Sequence, residues 1–379
     1  MREGWTCKNM SEVFDLQMGK TPDRKTPSYF GGNNVWVSIR DLDGKEIGES
    51  NEHITDTAVT TTNIRKVKKG TVIMSFKLTV GKCAICTKDL YTNEAIMAFN
   101  LKEGYDITPD FLYYYLSNYN WKGANKAVMG MTLNKATISQ QRISYPSLSE
   151  QQSIVAELDK INELISLKKA QLSDLDALAQ SIFYDMFGDP IENEKGWIKK
   201  NLSEVGQIVA GSTPSTAEES NWDGDVNWVT PAELGEQLYY GETVRKLTVK
   251  GAKGLTLMPV GTVLLSSRAP IGKLAITTVP MCCNQGFKNI ICNDTISNIF
   301  LYYYLFMTME HIKTLGRGAT FKEVSKSAIS AYKVILPPLS LQQSFAKRVE
   351  LIEQQKAQIS STIKDLETLL ASRMQYWFD

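Results

Sequence analysis

The sequence runs to 379 residues with 42 basic and 41 acidic side chains, a formal net charge of +1, and 43% hydrophobic residues. That length has room for two ordinary domains, and the composition is that of a soluble globular protein. No stretch approaches the roughly 18 apolar residues of a membrane helix, and the opening Met-Arg-Glu-Gly-Trp lacks the basic-then-apolar layout of a signal peptide, so a cytoplasmic protein with no membrane partner is expected.

In chain order, Val35–Ile39, Thr71–Phe76 and Ala95–Phe99 carry the β-branched and aromatic runs of strands. Thr108-Pro109-Asp110 is a helix start, with a capping threonine, a proline at the first helical position and an acid in the first turn, leading into Phe111–Asn118. Residues 150–187 hold the clearest pattern. Ile154, Leu158, Ile161, Ile165, Lys168, Leu172, Leu175, Ala179, Ile182 and Met186 follow at alternating steps of four and three, a heptad seam broken at Lys168. Gly188-Asp-Pro190 stops that helix.

Trp197 restarts the pattern. Val226–Thr230, Thr262–Ser266 and Asn289–Cys292 read as strands and Asn298–Met307 as a helix. A second seam follows at Phe345, Val349, Ile352, Lys356, Ile359, Ile363, Leu366, Leu370, Arg373 and Trp377, each 191 residues after its counterpart. A narrow seam needs a partner helix, and each copy supplies one. Burying about eight apolar side chains per helix, at ~1.5–3 kcal/mol each before entropic costs, can hold such a pair.

The chain is therefore written twice. Trp5 recurs as Trp197, Trp36-Val37 as Trp228-Val229, Gly70-Thr-Val72 as Gly261-Thr-Val263, and Leu112-Tyr-Tyr-Tyr-Leu116 as Leu301-Tyr-Tyr-Tyr-Leu305. Pro146-Ser-Leu-Ser-Glu-Gln-Gln152 recurs as Pro337-Pro-Leu-Ser-Leu-Gln-Gln343, each time opening a long helix. Two copies of one module imply two related sites or one site of approximate two-fold symmetry. The expected fold is α+β: lobes at 1–145 and 189–336, each an irregular mixed sheet plus helices, with long helices at 146–188 and 337–379.

The inventory argues against intrinsic catalysis. His53 and His311 are the two histidines and do not correspond between copies, and no phosphate loop, HExxH, GxSxG or dinucleotide-binding turn is present. Cys83-Ala-Ile-Cys86 has zinc-like spacing, but one such pair is half a site and the second copy lacks both thiols, so free cysteines and no metal are expected. Residues 1–145 carry 19 basic and 15 acidic side chains, and residues 146–188 carry 3 and 7. A mildly basic lobe and an acidic helix permit nucleic-acid binding without announcing it.

A lobe ending in Pro-x-Leu-x-x-Gln-Gln and then a long heptad helix, repeated once, resembles the specificity subunit of type I restriction–modification systems. Gly19-Lys-Thr-Pro22 with Gly211-Ser-Thr-Pro214, Val226-Asn-Trp-Val229, Ser267-Arg-Ala-Pro-Ile-Gly272 and Phe187-Gly-Asp-Pro190 support the likeness, which covers essentially the whole chain. It implies two target-recognition domains, each reading half of a split double-stranded DNA sequence. It also implies two antiparallel helices that set their spacing and dock two methyltransferase subunits, with restriction–translocase subunits completing the complex. No cofactor would belong to this chain. S-adenosylmethionine would sit in the methyltransferase, and ATP and magnesium in the motor–nuclease. A two-lobed assembly scaffold that binds proteins alone is the rival reading, and it predicts no sequence-specific DNA protection.

Under the first reading, residues at strand ends and polar loops are the DNA-contacting candidates. They are Lys25, Arg40, Asp41, Lys77, Thr79, Lys82, Met131 and Thr132 in the first copy, and Thr213, Thr230, Glu233, Arg268, Lys273, Arg317 and Thr320 in the second. Arg268 could bind guanine O6 and N7 bidentately or simply close a surface hairpin, and Lys77 or Lys82 stands in the matched loop. The basic run Arg65–Lys69 reads as a solvated face or a phosphate track. The tyrosine triplets, Trp36 and Trp228 read as core.

Overall fold

The computed structural model describes residues 2–121, 125–127, 130–268, 270–318 and 322–379. By contacts the chain divides into two compact units, Met1–Lys168 with Thr362–Asp379, and Lys169–Ser361. The divisions fall inside the two long helices, Leu148–Phe187 and Leu339–Phe378, and not at their ends. No helix among the described residues is long and apolar enough to cross a membrane.

The first unit is built on a five-stranded sheet in the order Phe14–Met18, Ile96–Leu101, Val72–Ser75, Cys83–Cys86, Glu46–Ile47. Its pairings are antiparallel except the last, in which Glu46 lies beside Ile85 in parallel. Both faces of the central strands are covered, which explains the unbroken apolar runs Val72–Met74 and Ile96–Phe99. Val72, Met74, Met97 and Phe99 face a core shared with the helix Pro109–Asn118, while Ile73, Ile96 and Ala98 face a second core with Val35 and Val37. Cys83 and Cys86 sit three residues apart on one strand and so join opposite cores, and burial pushes both thiols up to about 12.

The helix Pro109–Asn118 begins as its sequence dictates, with the Thr108 hydroxyl accepting from Phe111 N at 3.3 Å. Tyr114 and Tyr115 are buried and Tyr113 is half-buried, so this triplet is core. The strand Thr6–Asn9 pairs with Arg142–Tyr145, bringing the lobe's two ends together.

The second unit repeats the plan: Gly206–Ala210, Lys288–Cys292, Val263–Leu265, Leu274–Thr277, Tyr239–Tyr240, again with a parallel last pair. Val263 and Leu265 face one core and Leu264 the other. The helix Asn298–Met307 buries Tyr302, Tyr303 and Tyr304. Two tryptophans are fixed in the same way in both units. Trp36 Nε1 donates to Lys20 O at 3.0 Å, and Trp228 Nε1 donates to Ser212 O at 3.1 Å.

Each unit takes part of both long helices. In the first, Ile154 and Leu158 join a core with Leu370, Met374, Trp377 and Phe378. In the second, Ala179, Phe183 and Phe187 join Phe345, Val349 and Ile352. Of the seam positions read from the sequence, Ile161, Ile165 and Ile363 are buried, and Leu172, Leu175, Ile359, Leu366 and Leu370 are half-buried. Beyond Ala179 the heptad expectation needs correcting. The fully buried positions are Phe183 and Phe187, not Ile182 and Met186. There the helix turns its buried face onto Phe300, which stacks on Phe183 at 5.6 Å, and steps of four replace the alternation.

The repeated glutamine anchors each long helix. Gln151, fully buried, accepts from Thr108 N at 2.9 Å and donates to Asp106 O and Pro146 O at 2.8 and 3.0 Å. Gln342 accepts from Ser297 N at 2.8 Å and donates to Thr295 O and Pro337 O at 3.3 and 2.8 Å. One side chain thus ties helix start, preceding loop and lobe helix in each copy.

Candidate nucleic-acid interface

Strand direction gathers the candidate residues of the first unit. Phe14–Met18 and Val72–Ser75 end at the edge where Cys83–Cys86, Ile96–Leu101 and Glu46–Ile47 begin. The loops at that edge are cross-tied through their backbones. Lys20 N donates to Thr92 O at 2.8 Å, Phe76 N to Ala95 O at 2.9 Å, Asn93 N to Val37 O at 3.0 Å and Leu133 N to Phe76 O at 2.8 Å. Arg40 and Asp41 on the turn Ile39–Asp41, and Lys77, Thr79 and Lys82 on the hairpin 76–82, therefore share one end of the sheet. The backbone of Met131 and Thr132 joins them, because Thr132 pairs with Lys77. Lys25 is exposed on the loop that follows Gly19. Arg65–Lys69 lies at the opposite end, where Arg65 meets Asp15 at 3.5 Å, as a solvated face would.

Two small devices shape this edge, and each is duplicated. Ser75 and Ser266 are hubs. Ser75 N donates to Lys82 O at 2.8 Å while Lys82 N donates to Ser75 Oγ at 3.1 Å, and Ser75 Oγ donates to Thr79 O. Ser266 N donates to Lys273 O at 2.9 Å, Lys273 N donates to Ser266 Oγ at 2.8 Å, and Ser266 Oγ donates to Pro270 O at 2.7 Å. Close backbone crossings are the other device. A Cβ on Gly19 would lie 2.2 Å from Asn93 O, and one on Gly211 would lie 2.1 Å from Cys283 O. Thr21 is clasped to Glu94 and Thr213 to Gln285 across the same crossings. Of these residues only Thr213 was singled out from sequence, as a DNA-contacting candidate; the serine hubs and the clasp partners Glu94 and Gln285 were not, although each pair recurs at the 191-residue spacing.

In the second unit Arg268 and Arg317 are exposed and Lys273 is half-buried, while Thr320 lies outside the described residues. Two acidic candidates prove to be internal organisers. Asp41 accepts from Ser38 N and Ser38 Oγ at 2.7 and 2.8 Å. Glu233 accepts from Thr230 N and Oγ1 at 2.8 Å on one oxygen, and from Tyr240 Oη at 2.9 Å and Val244 N at 2.8 Å on the other. Four donors fill the four lone-pair sites of a carboxylate, so Glu233 holds the turn and offers a base nothing. The expectation that it reads bases is corrected by that saturation. Burial and the bond to Glu233 raise the Tyr240 phenol above its usual range.

Sequence reasoning missed Glu323 and Lys288. The Glu323 backbone bridges both Arg268 and Arg317, and its carboxylate takes the Lys288 ammonium at 3.1 Å. Lys288 is only 7% exposed and also donates to Ser267 Oγ at 3.2 Å. A lysine heading the strand Lys288–Cys292, where the first copy has Met97, was the available signal.

The family model of the type I restriction modification DNA specificity domain matches residues 2–177 and 194–368. The chain is 37% identical over 195 residues to the type I restriction enzyme MjaIX specificity subunit of Methanocaldococcus jannaschii, a match spanning 48% of this chain and 44% of that protein. It is 26% identical over 292 residues to the putative MjaX specificity subunit of the same organism, covering 70% and 67%. With the HindI specificity subunit of Haemophilus influenzae it shares 30% identity over 161 residues, 41% of this chain and 35% of that one. The matched stretches thus span less than half of the first and third relatives. Among solved structures, a chain from a study of complex assembly and conformational transition of the type I R-M system superposes with a TM-score of 0.67 at 20% identity, covering 100% of this chain and 98% of that one. The type I restriction–modification S subunit from M. genitalium gives 0.54 at 15%, covering 99% and 96%. These two likenesses speak to the fold alone.

Proposed function

The chain belongs to the type I restriction–modification DNA specificity family, and from that premise we propose that it is the DNA-reading subunit of such a complex, one half-site per lobe. The observation that carries this reading is the duplicated sheet edge. Two lobes of one plan present matched loops whose backbone is held alike by Ser75 and Ser266, while the side chains on those loops differ: Lys77 and Thr79 in one, Arg268 and Pro270 in the other. Shared scaffold with divergent tips suits two modules reading different sequences, since phosphate contacts position a protein and base-edge contacts specify.

The long helices are proposed as an antiparallel coiled-coil spacer that docks two methyltransferase subunits. Within the second unit, Asp176 meets Lys356 at 2.7 Å and Phe183 meets Phe345 at 5.5 Å, contacts in which one helix rises in number as the other falls. Two sites on a rigid rod bind bivalently, the second contact being effectively intramolecular. Rod length then sets the gap between half-sites, as dimer geometry does elsewhere. The chemistry would belong to partners, with S-adenosylmethionine in the methyltransferase and ATP with magnesium in the restriction–translocase subunit, all working in the cytoplasm. A net charge of +1 suits a reader whose partners supply much of the phosphate contact.

Co-expression with a type I methyltransferase subunit, followed by methylome sequencing, tests this. A split methylated sequence is expected, and inserting seven residues in the first long helix should change its gap while keeping both halves. Absence of sequence-specific methylation would leave the lobes as protein-binding modules.

A further inference from the structure

Arg268, Glu323 and Lys288 form a cluster whose residue types the first lobe's sequence does not repeat. The two hairpins superimpose in their bonding, because Val324 N donates to Ser267 O at 2.9 Å where Leu133 N donates to Phe76 O at 2.8 Å. Stepping back 191 residues, however, Arg268 becomes Lys77, Glu323 becomes Thr132 and Lys288 becomes Met97, which is fully buried. The second lobe has thus placed a cation in a strand where the first keeps an apolar side chain. Desolvating that ammonium is costly unless a carboxylate and further hydrogen bonds compensate it, and Glu323 and Ser267 do so.

The other half of the cluster is a loose ion pair with no hydrogen bond between its members. Glu323 gives Oε1 to Lys288 at 3.1 Å, whereas its Oε2 lies 4.0 Å from Arg268 Nη1, too far for a hydrogen bond. Arg268 and Glu323 are both substantially exposed, and their backbones are bridged so that the side chains start side by side. A guanidinium and a carboxylate oxygen, adjacent and held to each other only by that long ion pair, match the groove edge of one base pair. Guanine presents O6 and N7 as acceptors, and its cytosine partner presents the N4 amino group as a donor.

We infer that Arg268 and Glu323 together read one G·C pair of the second half-site through the major groove, with Lys288 as the positioning residue that fixes the carboxylate. This rests on the DNA-reading function proposed above. Arg268 donates to guanine O6 and N7, and Glu323 Oε2 accepts from cytosine N4. Thymine in cytosine's place would set its O4 against the carboxylate, two acceptors facing each other, so an A·T pair is rejected from both sides. The first lobe carries Lys77 and Thr132 at the matched positions.

The test uses the full chain co-expressed with its methyltransferase and reads the methylated sequences genome-wide. The wild type should fix a G·C pair at one position of the second half-site. Arg268→Ala should relax that position alone, the preference falling roughly 5- to 150-fold, with the first half-site and the gap unchanged. Glu323→Gln, whose amide can donate to thymine O4, should weaken the rejection of A·T there, with Arg268 still opposing adenine N6. Lys288→Met should partly reproduce that change, and Lys288→Arg should restore the preference. Unchanged maps for Arg268→Ala and Glu323→Gln overturn the inference. So does loss of methylation at every sequence with a native melting curve, since Arg268 would then supply affinity without discrimination. If Arg268→Ala melts abnormally, Arg268→Lys at this exposed position must show the same relaxed pair. A wild-type map without two half-sites overturns the DNA-reading function itself.

Discussion

Glu157 and Arg373, 216 residues apart in sequence, meet through a two-point carboxylate–guanidinium contact, with Arg373 Nη2 donating to Glu157 Oε2 at 3.0 Å and Nε donating to Oε1. Trp377 Nε1 donates to Glu157 Oε2 at 3.0 Å, while Tyr376 and Trp377 receive the Arg373 guanidinium over their rings at 4.4 and 5.3 Å. Position 373 breaks the apolar heptad because it is a clasp and not a knob.

That clasp carries a pH signature. The hydrogen bond from Arg373, then that from Trp377, hold the Glu157 carboxyl below its ordinary range. A depressed carboxyl pKa contributes stability that is present above the unfolded value, near pH ~4.3, and is lost as pH falls through the folded value. Glu157→Gln should therefore melt below wild type at pH 7, and the difference should vanish in the acid range. A melting difference that stays constant with pH counts against the clasp.

Removing the buried anchor glutamines should cost each unit separately. Gln151→Ala orphans Thr108 N, Asp106 O and Pro146 O, a loss of about 2–4 kcal/mol. Amide exchange should quicken at Phe111–Leu116 for Gln151→Ala and at Leu301–Leu305 for Gln342→Ala. Equal quickening of both helices by either change would show that the anchors do not act locally.

The glycine crossings are expected to be intolerant. Gly19→Ala and Gly211→Ala drive a methyl group against backbone carbonyls, 2.2 Å from Asn93 O and 2.1 Å from Cys283 O, an overpacking penalty of about 1–3 kcal/mol or more. Gly44→Ala meets nothing within 4 Å and should stay within about 0.5 kcal/mol of wild type. Denaturant midpoints of the three variants decide the matter.

The buried thiols should be sluggish. Burial pushes Cys83, Cys86 and Cys283 up to about 12, so little thiolate exists near neutral pH. Brief alkylation of native protein followed by mass mapping should label the half-buried Cys7 well ahead of those three. Early labelling of Cys83 would contradict its burial between strand and helix.

Periodicity and repetition carried most of the architecture. Val72–Ser75 and Val263–Leu265 were legible because an apolar run flanked by Gly70 and Gly261 has few other uses, and Asn298–Met307 begins and ends where its sequence indicates. Glu233 was misread because a carboxylate after a strand looks the same whether it faces a base or caps its own turn. Only Tyr240 and Val244, seven and eleven residues on, reveal the second. Phe183 and Phe187 were hidden by the heptad template, since the face a helix buries depends on what it meets, here Phe300. Lys288 and Glu323 lie 35 residues apart, and no local pattern announces a pair closed by topology.

The first unit is discontinuous, and this bears on how the protein is made. Phe111 and Tyr115 complete their packing against Phe378, at 5.7 and 5.8 Å, and residues 362–379 belong to the same unit as residues 1–168. A ribosome, working from the N-terminus at about 5–20 residues per second, releases every residue of the second unit before those of 362–379. The lobe begun first is therefore the lobe finished last. For that interval Phe111 and Tyr115 lack the ring of Phe378 that completes their packing in the finished fold.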